Sequence, residues 1–185
     1  LVWMRFPQAK RALNALHVRE MRRAPEPGVR GPRRDAATQF DESGAIVASA
    51  DRSLSELLVR RRWKELFWER RAEVCARMRF LVFGHGLYDA LRAPFYRICG
   101  RAALVDVPQA VIDGDVADQC ACVDGIIAQR FDTDGWYPRP GALLALPLLG
   151  IPGVTPENAC GPYYDDTEQF RPLPPHRARD LGLEA

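Results

Sequence analysis

No stretch of this chain holds the roughly 18 consecutive apolar residues that a membrane-crossing helix needs. The greasiest run, GALLALPLLGIPGV at residues 141–154, is too short and is broken by Pro147 and Pro152, so it reads as extended or buried loop. No basic start, apolar middle and small-residue cleavage site marks a secretory leader. Signatures of common chemistry are missing as well. There is no G-x-x-x-x-G-K-[ST] or G-x-G-x-x-G phosphate loop, no G-x-S-x-G elbow, no H-E-x-x-H pair and no kinase loop. Internal repeats and low-complexity tracts are absent. Histidine is scarce, with His17, His85 and His176 alone, and lysine is scarcer still, since 24 of the 26 basic residues are arginine. The five cysteines, Cys75, Cys99, Cys120, Cys122 and Cys160, are odd in number and sparse over 185 residues. That speaks against a disulfide scaffold and for a reducing, cytoplasmic setting.

What is present fits a globular protein. Hydrophobic residues make up 47% and charged residues 27% of the chain, a balance outside the disordered range. The length suits one domain spanning residues 1–185, with room for a core. The chain opens on LVWMRFP, without an initiator Met and already inside a pattern, and an upstream segment is expected before it. The net charge of +2 hides an asymmetry: residues 1–101 carry 21 Lys or Arg against 11 Asp or Glu, and residues 102–185 carry 5 against 13. Either the basic half meets nucleic acid or an acidic partner, or the two halves attract each other within one fold. The basic residues lack the aromatic interleaving and glycine turns of RNA-binding motifs, which favours the second reading.

The elements read as mainly helical. Pro7 suits the first position of a helix that runs over 8–23. Pro25, Pro27, Gly28, Gly31 and Pro32 predict a flexible basic loop over 24–34. TQFDESGAIVAS predicts a hairpin near 38–49, turning at Asp41-Glu42-Ser43-Gly44. Ser53-Leu54-Ser55-Glu56 matches a capping box. Trp63, Phe67, Val74 and Met78 keep helical spacing over 62–78, interrupted by Arg70 and Arg71. RFLVFG and AALVDV are short strand candidates, and LYDALRAPF reads as a helix halted near Pro94. Asp115 caps a helix whose apolar stripe is Val116, Cys120, Val123 and Ile127. A proline-rich, loop-rich wrap covers 138–185. The fold class is therefore α+β, a helical domain with a few short strands.

Candidate chemistry rests on scattered polar groups, each with a structural alternative. Lys10, Asn14 and His17 share one helix stripe with Met21 and would bind a carboxylate or phosphate, unless the stripe is solvated or paired internally. An unpaired buried Lys10 would be too costly, so it meets an acid, opens onto a pocket, or faces water. Asp35 is a base, a ligand or a loop cap, and Asp41 is expected to open the hairpin turn. His85 in FGHG sits between glycines that permit close backbone approach or positive φ, at a strand-to-helix junction. In YYDDTEQFRP, Asp165 and Asp166 would share a divalent cation, or Asp165 caps a turn while Arg171 closes an ion pair. Cys120 and Cys122 lie two apart on a helix and diverge, so they read as structural rather than metal-binding.

LVWMRFPQAKRALNALH, GPRRDAATQFDESGAIV, RWKELFWERR, FGHGLYDALRAP and YYDDTEQFRP together resemble, in order and spacing, the bacterial family known as domain of unknown function 3025. The resemblance spans nearly the whole chain and implies a bacterial origin and an upstream tryptophan-histidine-acid segment, but no mechanism. It matches Lys10, Asn14, His17, Asp35, Asp41, Glu65, His85, Asp165, Asp166 and Arg171 to the family's blocks. The leading expectation is an enzyme-like pocket. His85, His17 and Asp35 would act in catalysis, Lys10, Asn14 and Arg171 would hold an anionic substrate, and Asp165 and Asp166 a divalent cation. The reaction would be hydrolysis of a phosphorylated or acyl small molecule. The rivals are a binding module using its basic half, and a structural domain whose polar groups pair internally.

Overall fold

Helix starts in this chain are made by proline, whose missing N–H is no loss there, and by aspartate, which accepts the free amides. The computed structural model describes residues 2–24, 31–133 and 143–183. A short helix α1 (Val2–Arg5) leads into α2 (Pro7–Arg23). All four first-turn positions of α2 are accounted for. Pro7 has no N–H, Gln8 N and Ala9 N donate to the Asp124 carboxylate at 3.0 and 2.7 Å, and Lys10 N donates to Phe6 O. The cap thus comes from a residue more than a hundred positions away, on α8 (Val116–Asp132). Asp115 caps α8 itself by accepting from Asp118 N.

The expected hairpin near 38–49 is not formed. Residues 32–43 make helix α3 (Pro32–Ser43), and the chain passes straight into strand β1 (Gly44–Ser49). Gly44 makes that junction possible, because a Cβ there would run into the carbonyl and ring of Phe40. Asp41 is consequently a helix residue and opens no turn. Residues 32–34 of the predicted basic loop belong to α3 as well, whereas 25–30 lie outside the described residues.

Helix α4 (Arg52–Val59) follows, and its cap is Asp51 rather than Ser53. The Asp51 carboxylate accepts from Ser53 N and Leu54 N, and the Ser53 hydrogen bond holds it below the usual carboxylate range. The helical pattern over 62–78 is realised in two pieces. Glu65–Glu69 is a π-helical turn, Arg70 breaks it, and α5 (Arg71–Arg77) completes it. Strand β2 (Met78–Val82), α6 (His85–Ala90), β3 (Cys99–Asp106), α7 (Gln109–Asp113) and α8 come next. In α8 the buried stripe is Cys120, Val123, Ile127 and Phe131, and Val116 is exposed. The C-terminal wrap is more regular than its prolines imply. It holds strand β4 (Leu144–Pro147), three 3-10 turns and α9 (Pro175–Asp180), while 134–142 lie outside the described residues. Fully buried Asn158 pins it, donating to Leu149 O and Ile151 O and accepting from Arg71.

The sheet order is β2-β1-β3-β4, with β1 and β3 parallel and the outer pairs antiparallel. Every residue of β1 is buried, as expected of a strand covered on both faces. Ile46 and Ala48 pack with Phe6, Phe40, Phe83, Phe131 and the apolar sides of α2 and α8. Ala45 and Val47 face the opposite cluster around Leu54, Trp63, Phe67, Tyr164 and Phe170. This is an α+β domain built on one mixed sheet.

Candidate functional site

The register gathers four chain segments at one end of the sheet. Gly44 pairs with Arg101, Cys99 with Pro147 and Ala45 with Val82, so β1 and β3 begin where β2 and β4 end. Two polar groupings flank that end, on either side of the α3–β1 junction.

The first is built on FGHG. A Cβ on Gly84 would lie 2.5 Å from both Glu42 O and Gly44 N, and one on Gly86 3.1 Å from Glu42 O and Oε2. The glycines therefore serve close approach; Gly84 has a negative φ of −74° and needs no left-handed conformation. With the junction seated against it, His85 Nε2 lies 3.3 Å from Glu42 Oε2, both side chains exposed. Next to them Lys10, 3% exposed, places Nζ 2.5 Å from Asp41 Oδ1 and 4.3 Å from the centre of the Phe83 ring. Of the three fates open to Lys10, meeting an acid is the one realised. Phe83 in turn stacks on Phe40 at 4.6 Å.

The second grouping is a cleft of about 540 Å³. Arg61, Arg97, Arg101 and Arg171 line it with Ser43, Trp63, Cys99 and Gln169, and among the described residues Glu168 is its one carboxylate. Arg61 and Arg97 have φ of +54° and +68°, the two non-glycine residues in the left-handed region among those described. Such a conformation costs a non-glycine residue about 1–3 kcal/mol and is held only by its surroundings. For Arg97 the restraint is its own N–H, which donates to buried Gln169 Oε1 at 3.1 Å. For Arg61 it is an N–H···O bond to Leu58 O, with the guanidinium 3.5 Å from Pro172 O. Burial pulls the Arg61 guanidinium below its ordinary value, helped by the nearby charges of Arg177 and Arg101. Trp63 Nε1 donates to Arg171 O at 2.9 Å and fixes the segment that carries Arg171. Arg171 Nε donates to Glu168 O, and Arg97 meets the Glu168 carboxylate at 3.3 Å. Among the described residues, the Arg101 side chain has no hydrogen bond or ion pair. The surrounding protein raises the Cys99 thiol above its ordinary value, so it is a poor thiolate source.

The predicted site residues are spread over these and other places. Arg171 lines the arginine cleft, and His85 and Lys10 border the neighbouring grouping. Asn14 is exposed along α2, and His17 lies one helical turn further on, half-buried and engaged with neighbours. Helices α2 and α3 run antiparallel, as Lys10–Asp41 at one end and Glu20–Arg33 at the other show. That register sets His17 level with Asp35, about two turns or roughly 10 Å along α3 from Glu42 and His85. Asp35 itself is exposed in the first turn of α3. Asp165 meets Lys64 at 2.8 Å. The turn cap in this segment is Asp166, which accepts from Glu168 N, Gln169 N and Tyr96 Oη. Among the described residues no three His, Cys, Asp or Glu side chains are grouped to hold a metal ion. The sequence reading passed over Arg61, Arg97 and Arg101, because an excess of arginine looks like genome composition. The usable signals were the Arg60-Arg61-Arg62 run before Trp63 and the arginines bracketing Cys99-Gly100.

A family model described as "Protein of unknown function (DUF3025)" matches residues 1–174. No curated protein and no solved structure matches the chain. Among the described residues no helix is long and apolar enough to cross a membrane.

Proposed function

The chain belongs to the DUF3025 family, and from that premise we propose that it binds a small, multiply charged anion in the arginine cleft. One observation carries this reading: among the described residues, four guanidiniums and a single carboxylate line one hollow of about 540 Å³, and two of the four sit on strained backbone. Gathering like charges costs free energy that a bound polyanion returns. Guanidinium forks match phosphate and carboxylate geometry, with two parallel hydrogen bonds to each group. Glu168 satisfies part of this charge in the free protein, leaving room for a ligand with two or more negative groups. Phosphate esters and polycarboxylates are the classes that fit.

Hydrolysis of such a ligand is the second reading. It rests on adjacency: Ser43 lines the cleft, and its neighbour Glu42 holds His85, an imidazole–carboxylate pair of the kind used in acid–base chemistry. Lys64–Asp165 and Arg97–Glu168 join the basic and acidic halves internally, which weakens the case for a nucleic-acid module.

Isothermal titration with pyrophosphate and with citrate tests the binding. Saturable heat is expected at low salt. Arg101→Ser should weaken it by roughly ten- to a hundred-fold, the loss of one charge-assisted contact of about 1.5–3 kcal/mol. Arg52→Ser, on a surface pair remote from the cleft, should leave it unchanged. Absence of heat with both anions, or equal weakening by the two variants, removes the proposal. His85→Ala tests turnover separately: hydrolysis of a phosphate ester should disappear while binding persists.

A further inference from the structure

A second surface lies at the other side of the sheet. Among the described residues, strand β2 is at the end of the strand order, with β1 on one side only. Ala50 N donates to Arg77 O, and Phe83 N donates to Gly44 O. The antiparallel register then makes Arg79–Ala48 and Leu81–Ile46 the hydrogen-bonded pairs. The N–H and C=O groups of Phe80 and Val82 therefore point away from the sheet. Among the described residues they have no partner. An open edge is a template for another strand unless it is blunted. Here it is flanked rather than blunted. Two hollows of about 420 and 330 Å³ share Phe80, Leu81, Val82 and Leu91 along β2. The larger reaches Ile151 and Val154, and the smaller reaches Tyr88. Alternate side chains of an added strand would enter hollows so placed. Arg79 lines the first, Arg5 and Arg92 the second, and among the described residues no acidic one lines either.

We propose that β2 accepts an extended segment of another protein as a fifth strand, one that alternates apolar with acidic residues. The charge decides the occupant. A second copy of this chain docked edge to edge would bring Arg5, Arg79 and Arg92 against the same three arginines, and like charges oppose that pairing.

Fluorescence anisotropy with a labelled synthetic peptide alternating valine with glutamate tests this. Saturable binding is expected, together with slowed amide exchange at Phe80 and Val82. An otherwise identical peptide N-methylated at its central residues should bind at least ~tenfold more weakly, because strand addition needs the main-chain N–H groups. A valine–lysine peptide should not bind, and Arg92→Glu should cost about tenfold or more. Both peptide controls use the wild-type chain, so they stand even if a variant fails to fold. Three results overturn the proposal: equal binding of the N-methylated peptide, no binding up to about 1 mM, or self-association through β2 that excludes the peptide.

Discussion

Replacing Asp124 by alanine is expected to cost this fold about 4 kcal/mol. The carboxylate is 2% exposed, and it accepts two hydrogen bonds from the start of α2. One of the donors, Ala9 N, belongs to a fully buried residue. Truncation leaves two amides without partners at about 1–3 kcal/mol each. It also removes a negative charge from the positive end of a 17-residue helix, worth about 0.5–2 kcal/mol in a buried setting. These terms overlap, so their sum of up to about 8 is an upper bound and about 4 the expectation. For a chain of this size that is a fall in Tm of roughly 8–16 °C. Asp124→Asn keeps one good acceptor but turns its amide donor toward the other N–H, so it should retain at least half the damage. Asp89→Ala, on an exposed turn of α6, should stay within about 0.5 kcal/mol of wild type. Urea denaturation with thermal melts measures all three. If Asp124→Ala lies within about 1 kcal/mol of wild type, the α8 carboxylate is not what anchors α2, and the accounting of the first-turn amides is wrong.

Local chemistry was legible in the sequence wherever it stayed local. Pro7 and Asp115 mark their helices, RFLV and ALVD mark strands, and of the three fates the sequence left open for Lys10 the fold realises the acid partner. The hairpin failed because its evidence was two apolar runs around a turn-like tetrad. Helix α3 instead keeps Phe40 on the Phe83–Phe131 cluster, and β1 finds its partners at β2 and at β3, more than fifty residues on. A strand buried on both faces has no alternation to read. The arginine cleft was hidden for a related reason. Its cations come from three separate segments, around Arg61, Arg97–Arg101 and Arg171, and two depend on positive φ, which arginine does not announce. Of the two reasons the sequence offered for the FGHG glycines, close approach is the one found at Gly84, and its partner, the Glu42–Gly44 backbone, is met only in the folded chain.

Gly84→Ala should destabilise by about 2 kcal/mol or more, since the new methyl meets backbone at 2.5 Å that cannot rotate aside. Denaturant midpoints of the wild type and the variant decide it, and a neutral result would mean the α3–β1 junction is looser than described. Acid sensitivity follows from Asp166. Backbone N–H of Gln169 and the Tyr96 hydroxyl favour its ionised form and hold its pKa below the ordinary carboxylate value. A depressed folded pKa contributes stability that is fully present above the unfolded value of about 3.9 and is lost as pH falls through the folded value. The Tm difference between wild type and Asp166→Asn should therefore be constant above about pH 5 and shrink steadily below about pH 4. Because Asp166 also caps the turn that delivers Gln169 to Arg97 N, the same variant should loosen the strained arginine and weaken anion binding in the cleft. A Tm gap that does not vary with pH would show that the carboxylate charge plays no part in holding that turn. A variant that melts below wild type yet binds anions normally would separate the turn from the cleft altogether.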